Sequence, residues 1–257
     1  MQVALVTVGD ELLAGDTVNT NASWLASELA DRGVTVRRTL VVPDDVDAIA
    51  ENVRAYADAY DAVIVTGGLG GTPDDVTMDG VAAAFDRELV VDELALADVA
   101  EKLAAIADDY PELNVDAEAE ATLPAGARPL RNSAGLSPGC VLEGAYVLPG
   151  IPEEMKAMFE TVADEFAGEA VARYAYTEQP EANLIEPLTD VQAQFDVTVG
   201  CYPNQQAGHN RLKVTGEDES AVEAAMAALA ERTELFDPED ADAADESAAG
   251  DAGDDAG

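Results

Sequence analysis

Two apolar runs that end on glycine limit what this chain can fold into. VALVTVG (3–9) and DAVIVTGG (61–68) are almost continuously hydrophobic, the pattern of strands covered on both faces and not on one. Between them, NTNASWLASELADRG brings Trp24, Leu25 and Leu29 into a helical pattern, with Asn19 or Asn21 placed as N-cap and Gly33 as the stop. VTVRRTLVV reads as a second strand. PDDVDAIAENVRAYADAY reads as a helix, with Pro43 ahead of it and acids in its first turn. Strands that alternate with helices predict an α/β domain on a mostly parallel sheet.

Further along, a helix is expected over Glu93–Asp108. EAEATLPAGARPLRNSAGLSPGCVLEGAYVLPGIPEEMKAMFE then strings short apolar segments between Pro and Gly before a closing helix. The main domain is expected to span 1–168. A small α+β domain over 169–234 would hold a helical EANLIEPLTDVQAQF, two strands, DVTVGCYP and NRLKVTG, and the helix SAVEAAMAALAER. From 235 to 257 the chain is too acidic to repay its ordering entropy and reads as a disordered tail.

Asp and Glu number 53 against 13 Lys and Arg, a formal net charge of −40. The nine carboxylates after residue 236 carry less than a quarter of it. The rest is spread along the chain, which also has only three lysines. Distributed acidity of this kind resembles proteins of salt-in halophiles, where concentrated salt screens self-repulsion. Loss of circular dichroism at falling KCl is the expected outcome. Nucleic acid is excluded as a partner, because phosphate neutralisation needs clustered Lys and Arg. No run approaches the ~20 apolar residues of a spanning helix, and the N-terminal run lacks a basic lead and a small-residue cleavage site. A cytoplasmic protein without a membrane partner is expected. Cys140 and Cys201 lie far apart without CxxC spacing, which points to packing and away from a disulfide or a thiolate zinc site.

Ligands of open parallel sheets sit outside the carboxyl ends of the strands. Two loops leave such ends, GDELLAGDTVNTN and TGGLGGTPDD. In the second, Gly67, Gly68, Gly70 and Gly71 let backbone N–H groups converge on an anion, with the hydroxyls of Thr66 and Thr72 beside them. A tight strand-to-helix turn would need glycine in any case. Asp74, Asp75 and Asp79 follow, and Asp10 and Glu11 could approach from the first loop. Hard carboxylate oxygens beside phosphate suit a divalent cation, though Asp74 or Asp75 could equally cap a helix. His209 is the sole histidine, so no His-based triad is available, and a surface or lightly structural role is expected. LPGIPEEM places Pro152 at a helix start with Glu153 and Glu154 in its first turn, and GCYPNQQAGHN reads as a hairpin connection.

VGDELLAGDTVNTNASWLASELADRGVTVRR, VIVTGGLGGTPDDVT, LPAGARPLRNSAGLSPG and LPGIPEEMKAMFE stand in one order. Over roughly residues 3–160 this resembles the N-terminal domain of the CinA (competence/damage-inducible) family, part of the wider MoaB/Mog molybdopterin-binding fold. VTVGCYPNQQAGHNRLKVTGEDESAVEAAMAAL is similar to the small domain that follows in CinA-like chains and in the molybdopterin-binding-like region of FAD synthases. The resemblance implies a three-layer α/β domain that assembles as homo-oligomers. It also implies a metal-dependent pyrophosphatase acting on ADP-ribose or a related dinucleotide, activated by a divalent cation (Co, Mn or Mg) and by potassium. In the molybdopterin branch the same cleft would hold a pterin phosphate without hydrolysis.

By matching motif, Gly67, Gly68 and Gly70, flanked by Thr66 and Thr72, would face phosphate. Asp75 would be the catalytic acid, and Asp74, Asp75, Asp10 and Glu11 the metal ligands. Asn19, Asn21, Gly150 and Pro152 would line the substrate. GLGG replaces the usual GLGP, so Gly71 would loosen the loop. The nicotinamide mononucleotide deamidase domain of full-length bacterial members has no counterpart segment here, and that activity is not carried over.

Overall fold

In a computed structural model, residues 1–107, 112, 114–204 and 208–236 are described, and the chain divides into two compact units, 1–168 and 169–257. In the first unit β1 (Gln2–Val8) and β3 (Ala62–Thr66) are the two glycine-terminated runs, and β2 (Thr35–Val42) lies on the outer side of β1. Between β1 and β2 come α1 (Asp10–Ala14) and α2 (Thr20–Asp31); α3 (Val46–Ala59) leads into β3, and α4 (Thr77–Ala84) follows it. After β4 (Leu89–Val91), α5 (Glu93–Ile106), α6 (Ala117–Glu120) and β5 (Thr122–Pro124), the chain forms β6 (Arg128–Leu130), β7 (Gly139–Leu142), β8 (Ala145–Leu148) and α7 (Pro152–Glu160). The last residue expected in the fifth helix, Asp108, lies outside the described residues.

The main sheet has the order β2-β1-β3-β8-β7-β6. Its β2-β1, β1-β3 and β3-β8 pairs are parallel, and the β7 pairings with β8 and β6 are antiparallel. It is therefore the mostly parallel α/β sheet expected, with one antiparallel margin. β4 and β5 form a separate two-stranded ribbon.

Period-two alternation along β1 explains the three layers. Val3 and Leu5 pack with Leu25 and Leu29 of α2 and with Met155, Met158 and Phe159 of α7. Ala4, Val6 and Val8 face the other way, against Ile49 and Val53 of α3 and Val81 of α4. Leu29 is fully buried, and truncating it to alanine removes roughly 2–5 kcal/mol. Asn19 caps α2 through Ala22 N, and acids start other helices in the same way: Asp45 caps α3, Asp92 α5 and Asp218 the later helix Glu219–Ala230. The carboxylates of Asp45 and Asp92 thus meet the positive end of a helix.

The second unit holds three strands, not the two expected: β9 (Val171–Thr177), β10 (Thr198–Asn204) and β11 (His209–Gly216), antiparallel in the order β10-β11-β9. α8 (Glu181–Gln194) and α9 (Glu219–Ala230) join them through Leu184, Val191, Leu212, Val214 and Leu229, an α+β core. His209 is buried, edge-on to Tyr176 and Phe236. The expected hairpin connection includes residues 205–207, and the expected acidic tail includes 237–257; both stretches lie outside the described residues. Both cysteines are free, Cys140 buried against Met78. Among the described residues no helix is long and apolar enough to cross a membrane.

Candidate functional site

The strand order reverses between β1 and β3: one crossover leads out to β2, the other back across to β3. A crevice opens at such a switch point. Here it is a cleft of about 650 Å³ walled by the segments after β1, β3 and β8, with Asp44 from the end of β2 and Leu136 and Ser137 from a fourth loop.

The loop after β3 is held open by its neighbours. Gly67 has φ +101, and a Cβ there would stand 2.3 Å from the carbonyl oxygen of Val8; Gly68 has φ +63. Both conformations exclude ordinary side chains. Buried Thr77 donates its hydroxyl to Gly67 O at 2.8 Å and its N–H to Gly68 O at 3.2 Å, which pins the loop to the start of α4. Among the described residues, no group accepts from the N–H of Gly68, Leu69, Gly70 or Gly71. Gly68, Leu69 and Gly70 line the cleft and Gly71 does not, so three of these unspent backbone donors stand beside it.

Asp74 and Asp75 do not cap α4, whose N-cap is Val76 without a side-chain bond. Asp75 turns back into its own loop: Oδ2 accepts from Thr72 N at 3.0 Å and faces the Thr72 hydroxyl at 2.6 Å, while Asp74 Oδ1 lies 2.6 Å from that hydroxyl. The Thr72 hydroxyl is the main influence that holds the Asp74 carboxyl below the usual carboxylate range. Thr72 is thus a brace for the two aspartates and not a cleft-wall residue, whereas Thr66, Gly67, Gly68, Gly70, Asp74 and Asp75 all reach the cleft.

The first loop opens with α1, a five-residue helix without buried residues. Glu11 lines the cleft and Asp10 does not; the Asp10 N–H donates to Asp44 Oδ2 at 2.8 Å. Asp44 is a wall residue that sequence reasoning placed in a helical first turn. Burial, followed by the Asp10, Glu11 and Asp74 charges, pushes its carboxyl above the usual value, against the lowering effect of the Asp10 N–H. Asn19 caps α2 and donates to Thr7 Oγ1 at 2.8 Å. Asn21, 7% exposed, donates to Gly150 O at 2.7 Å, and its Oδ1 is buried without a donor. Gly150 and Pro152 join it on the cleft wall.

The fourth loop, residues 131–138, is organised by Asn132, which is fully buried. Its Oδ1 accepts from Ala134 N and Gly135 N, and its Nδ2 donates to Ser137 O at 3.0 Å and to Glu154 Oε2 at 2.7 Å. The Asn132 carbonyl accepts from Lys102 Nζ, which also pairs with Asp98 at 2.7 Å. Asp98 is buried, which raises its carboxyl; bonds to Lys102 and Arg131 outweigh that and hold it below the usual value.

The expected divalent cation has a suitable donor set in part. Asp74, Asp75 and Glu11 present hard oxygens to the cleft, and magnesium-type ions take one or two carboxylates with ligand phosphates completing the shell. Among the described residues no group of three or more His, Cys, Asp or Glu is arranged to hold a metal by itself.

Residues 4–168 match the family model described as "Probable molybdopterin binding domain". The chain belongs to that family. A model for the FAD synthase middle domain matches residues 169–236. Relatives of similar length match along most of the chain: a protein of Archaeoglobus fulgidus is 35% identical over 88% of this chain and 95% of its own. One from Pyrococcus abyssi is 36% identical over 87% and 93%. A CinA-like protein of Frankia casuarinae is 43% identical over 62% of this chain, which spans 38% of that protein. Among solved structures, CinA of Thermoplasma acidophilum, a protein of unknown function, is 35% identical, covers 65% of this chain and 99% of its own, and superposes with a TM-score of 0.59. The molybdopterin-binding domain here is thus of the CinA type, on the MoaB/Mog-like α/β fold.

Proposed function

We propose that the cleft binds the phosphate end of a pterin- or nucleotide-type ligand, with the N–H groups of 68–71 as its anion cradle. The observation that carries this reading is the run of donors without acceptors at the sheet's switch point, three of them, from Gly68, Leu69 and Gly70, on the cleft wall. Oriented amides need no reorganisation to meet negative charge, so they retain most of their strength in a walled cleft. A family model named for molybdopterin binding supports the ligand class.

Hydrolysis of a pyrophosphate bond, as in ADP-ribose, is the activity we assign to this site. A divalent cation held by Asp74, Asp75 or Glu11 together with phosphate oxygens would supply positive charge to the pyrophosphate. The chain's own part is to fix one phosphate on the amides and to keep carboxylate oxygens at the ligand's flank. Thr72 holds Asp74 and Asp75 in place for that. Asp44, also on the cleft wall, would serve as a proton acceptor for the attacking water. Binding of a pterin phosphate without turnover is the second reading, favoured by the bonds that commit Asp75 to its own loop.

The two readings separate in one assay. The full chain is incubated in concentrated KCl with Co²⁺, Mn²⁺ or Mg²⁺ and with ADP-ribose, FAD or NAD⁺, and AMP release is followed. Metal-dependent release that Asp75→Asn lowers by on the order of 10²-fold supports hydrolysis. Saturable binding of a fluorescent pterin with no AMP from any of the three supports the second reading.

A further inference from the structure

In the second unit, α8 and α9 cover one face of the sheet through Ala175, Leu212 and Val214. By alternation the opposite face carries Tyr174, Gly200, Tyr202, Arg211 and Lys213. Tyr174 is 42% exposed and Tyr202 49% exposed. In register, Lys213 stands between Tyr174 and Gly200, and Arg211 between Tyr176 and Tyr202. Tyr176 closes one end of the face, its ring packed on His209 and Phe236.

The cations of this face are held by rings and not by acids. The Arg211 guanidinium lies 5.6 Å from the centre of the Tyr174 ring and 5.5 Å from that of Tyr202, and Lys213 Nζ lies 5.6 Å from Tyr174. Arg173, which reaches α9 on the covered side, makes both ion pairs of this unit among the described residues, with Glu219 at 2.8 Å and Glu223 at 2.7 Å. Among the same residues neither Arg211 nor Lys213 has a carboxylate partner or donates a side-chain hydrogen bond. In a chain with 53 acids and 13 bases, that is positive charge to spare. A guanidinium gripped between two rings keeps its N–H donors in a plane that matches phosphate.

Gly200 shapes the rest of the face. A Cβ there would fall 2.8 Å from the Tyr202 hydroxyl and 2.9 Å from its ring. Tyr202 therefore lies across the glycine, along the sheet, with its outer side open. Tyr174 is taken up by both cations, which leaves Tyr202 as the free stacking surface. Arg211 and Lys213, two residues apart on one strand, project about 7 Å from each other, a gap that one phosphate bridges.

We propose that this face binds a single nucleoside monophosphate, with the base stacked on Tyr202 and the phosphate between Arg211 and Lys213. Two cations match one phosphate and not a polymer, because a string of phosphates would meet the charge of −40 without further Lys or Arg to offset it. The face is independent of the cleft: it needs neither the glycine loop nor a metal.

Lysine footprinting reads this face directly, since the chain has only three lysines and Lys102 and Lys156 both belong to the first unit. The full chain in concentrated KCl is acetylated briefly with AMP, adenosine or inorganic phosphate, and each lysine is followed by mass spectrometry. AMP should protect Lys213 saturably, with Lys102 and Lys156 as internal standards. Adenosine should need at least about tenfold more for the same protection, for want of charged hydrogen bonds. Inorganic phosphate should need at least about fivefold more, for want of stacking. Tyr202→Leu should weaken protection by AMP at least about fivefold, and Arg211→Gln at least about tenfold. Absence of Lys213 protection by AMP overturns the proposal, as does equal protection by adenosine or by inorganic phosphate. A short single-stranded oligonucleotide that protects at far lower concentration than AMP also overturns it, in favour of a polymer site. These comparisons use the unaltered chain and stand even where a variant fails to fold.

Discussion

Loop 66–77 reaches the cleft with backbone donors to spare, whereas loop 131–138 arrives with its polar groups gathered onto one buried side chain. The first is ordered by what glycine permits: positive φ at Gly67 and Gly68, and a single pin at Thr77. The second is ordered by Asn132, which binds two N–H groups, one carbonyl and one carboxylate without solvent. A site that must receive an anion needs the first arrangement, because donors already spent cannot bind. A wall that must hold a carboxylate still needs the second.

That contrast is broken most severely at its buried centre. Asn132→Ala leaves several buried groups unpaired and should cost roughly 3 kcal/mol or more, read as a fall in the midpoint of chemical denaturation. Asp98→Asn, one step behind it, should cost about 2–4 kcal/mol by stranding Lys102 and Arg131. Since the Asp98 carboxyl titrates below its unfolded value, its contribution is present above the ordinary carboxylate range and is lost as pH falls through the folded pKa; the difference between Asp98→Asn and the unaltered chain should shrink on acidification.

The glycine loop is sharpened by a pair of substitutions. Gly67→Ala meets both a φ of +101 and the Val8 carbonyl and should lose about 2 kcal/mol, together with pyrophosphate binding. Gly71→Ala meets only the end of the Glu120 side chain and should stay within about 0.5 kcal/mol. Smallest of all is Asp44→Asn. The folded carboxyl is raised, so the folded state holds its proton more tightly and stability declines as pH climbs from the unfolded value through the folded one. The amide escapes this, and a slight rise in melting temperature at neutral pH is expected.

Much of the fold was legible because its strands and helices bury enough to leave a period. β1 and β3 stand out by continuous apolar runs, α2 by a cap at Asn19 or Asn21 and α3 by Pro43 ahead of it and the acids at its start. β9 was missed because its inward positions include Ala175 and Thr177, while Tyr174 faces out, and so the apolar alternation is faint. α1 was missed because it buries nothing. At the site, glycine and carboxylate spellings marked the loop after β3. Asp44 and Asn132 carry no such mark: a cleft position at the end of β2 depends on strand order, and Asn132 depends on partners from α5 and α7. Thr72 misled for the same reason, since a hydroxyl beside glycines gives no sign of whether it faces a ligand or braces an aspartate.

The parallel pairing of β8 with β3 carries a consequence for how the molecule comes into being. Val63 finds Ala145 as its partner only after the whole intervening stretch has been synthesised, and contacts so distant along the chain form slowly. Segment 149–154, which brings Gly150 and Glu154 to the cleft, arrives with that same strand. On the ribosome, then, the glycine loop emerges early as half a pocket, and the cleft is completed in the step that inserts β8 into the sheet.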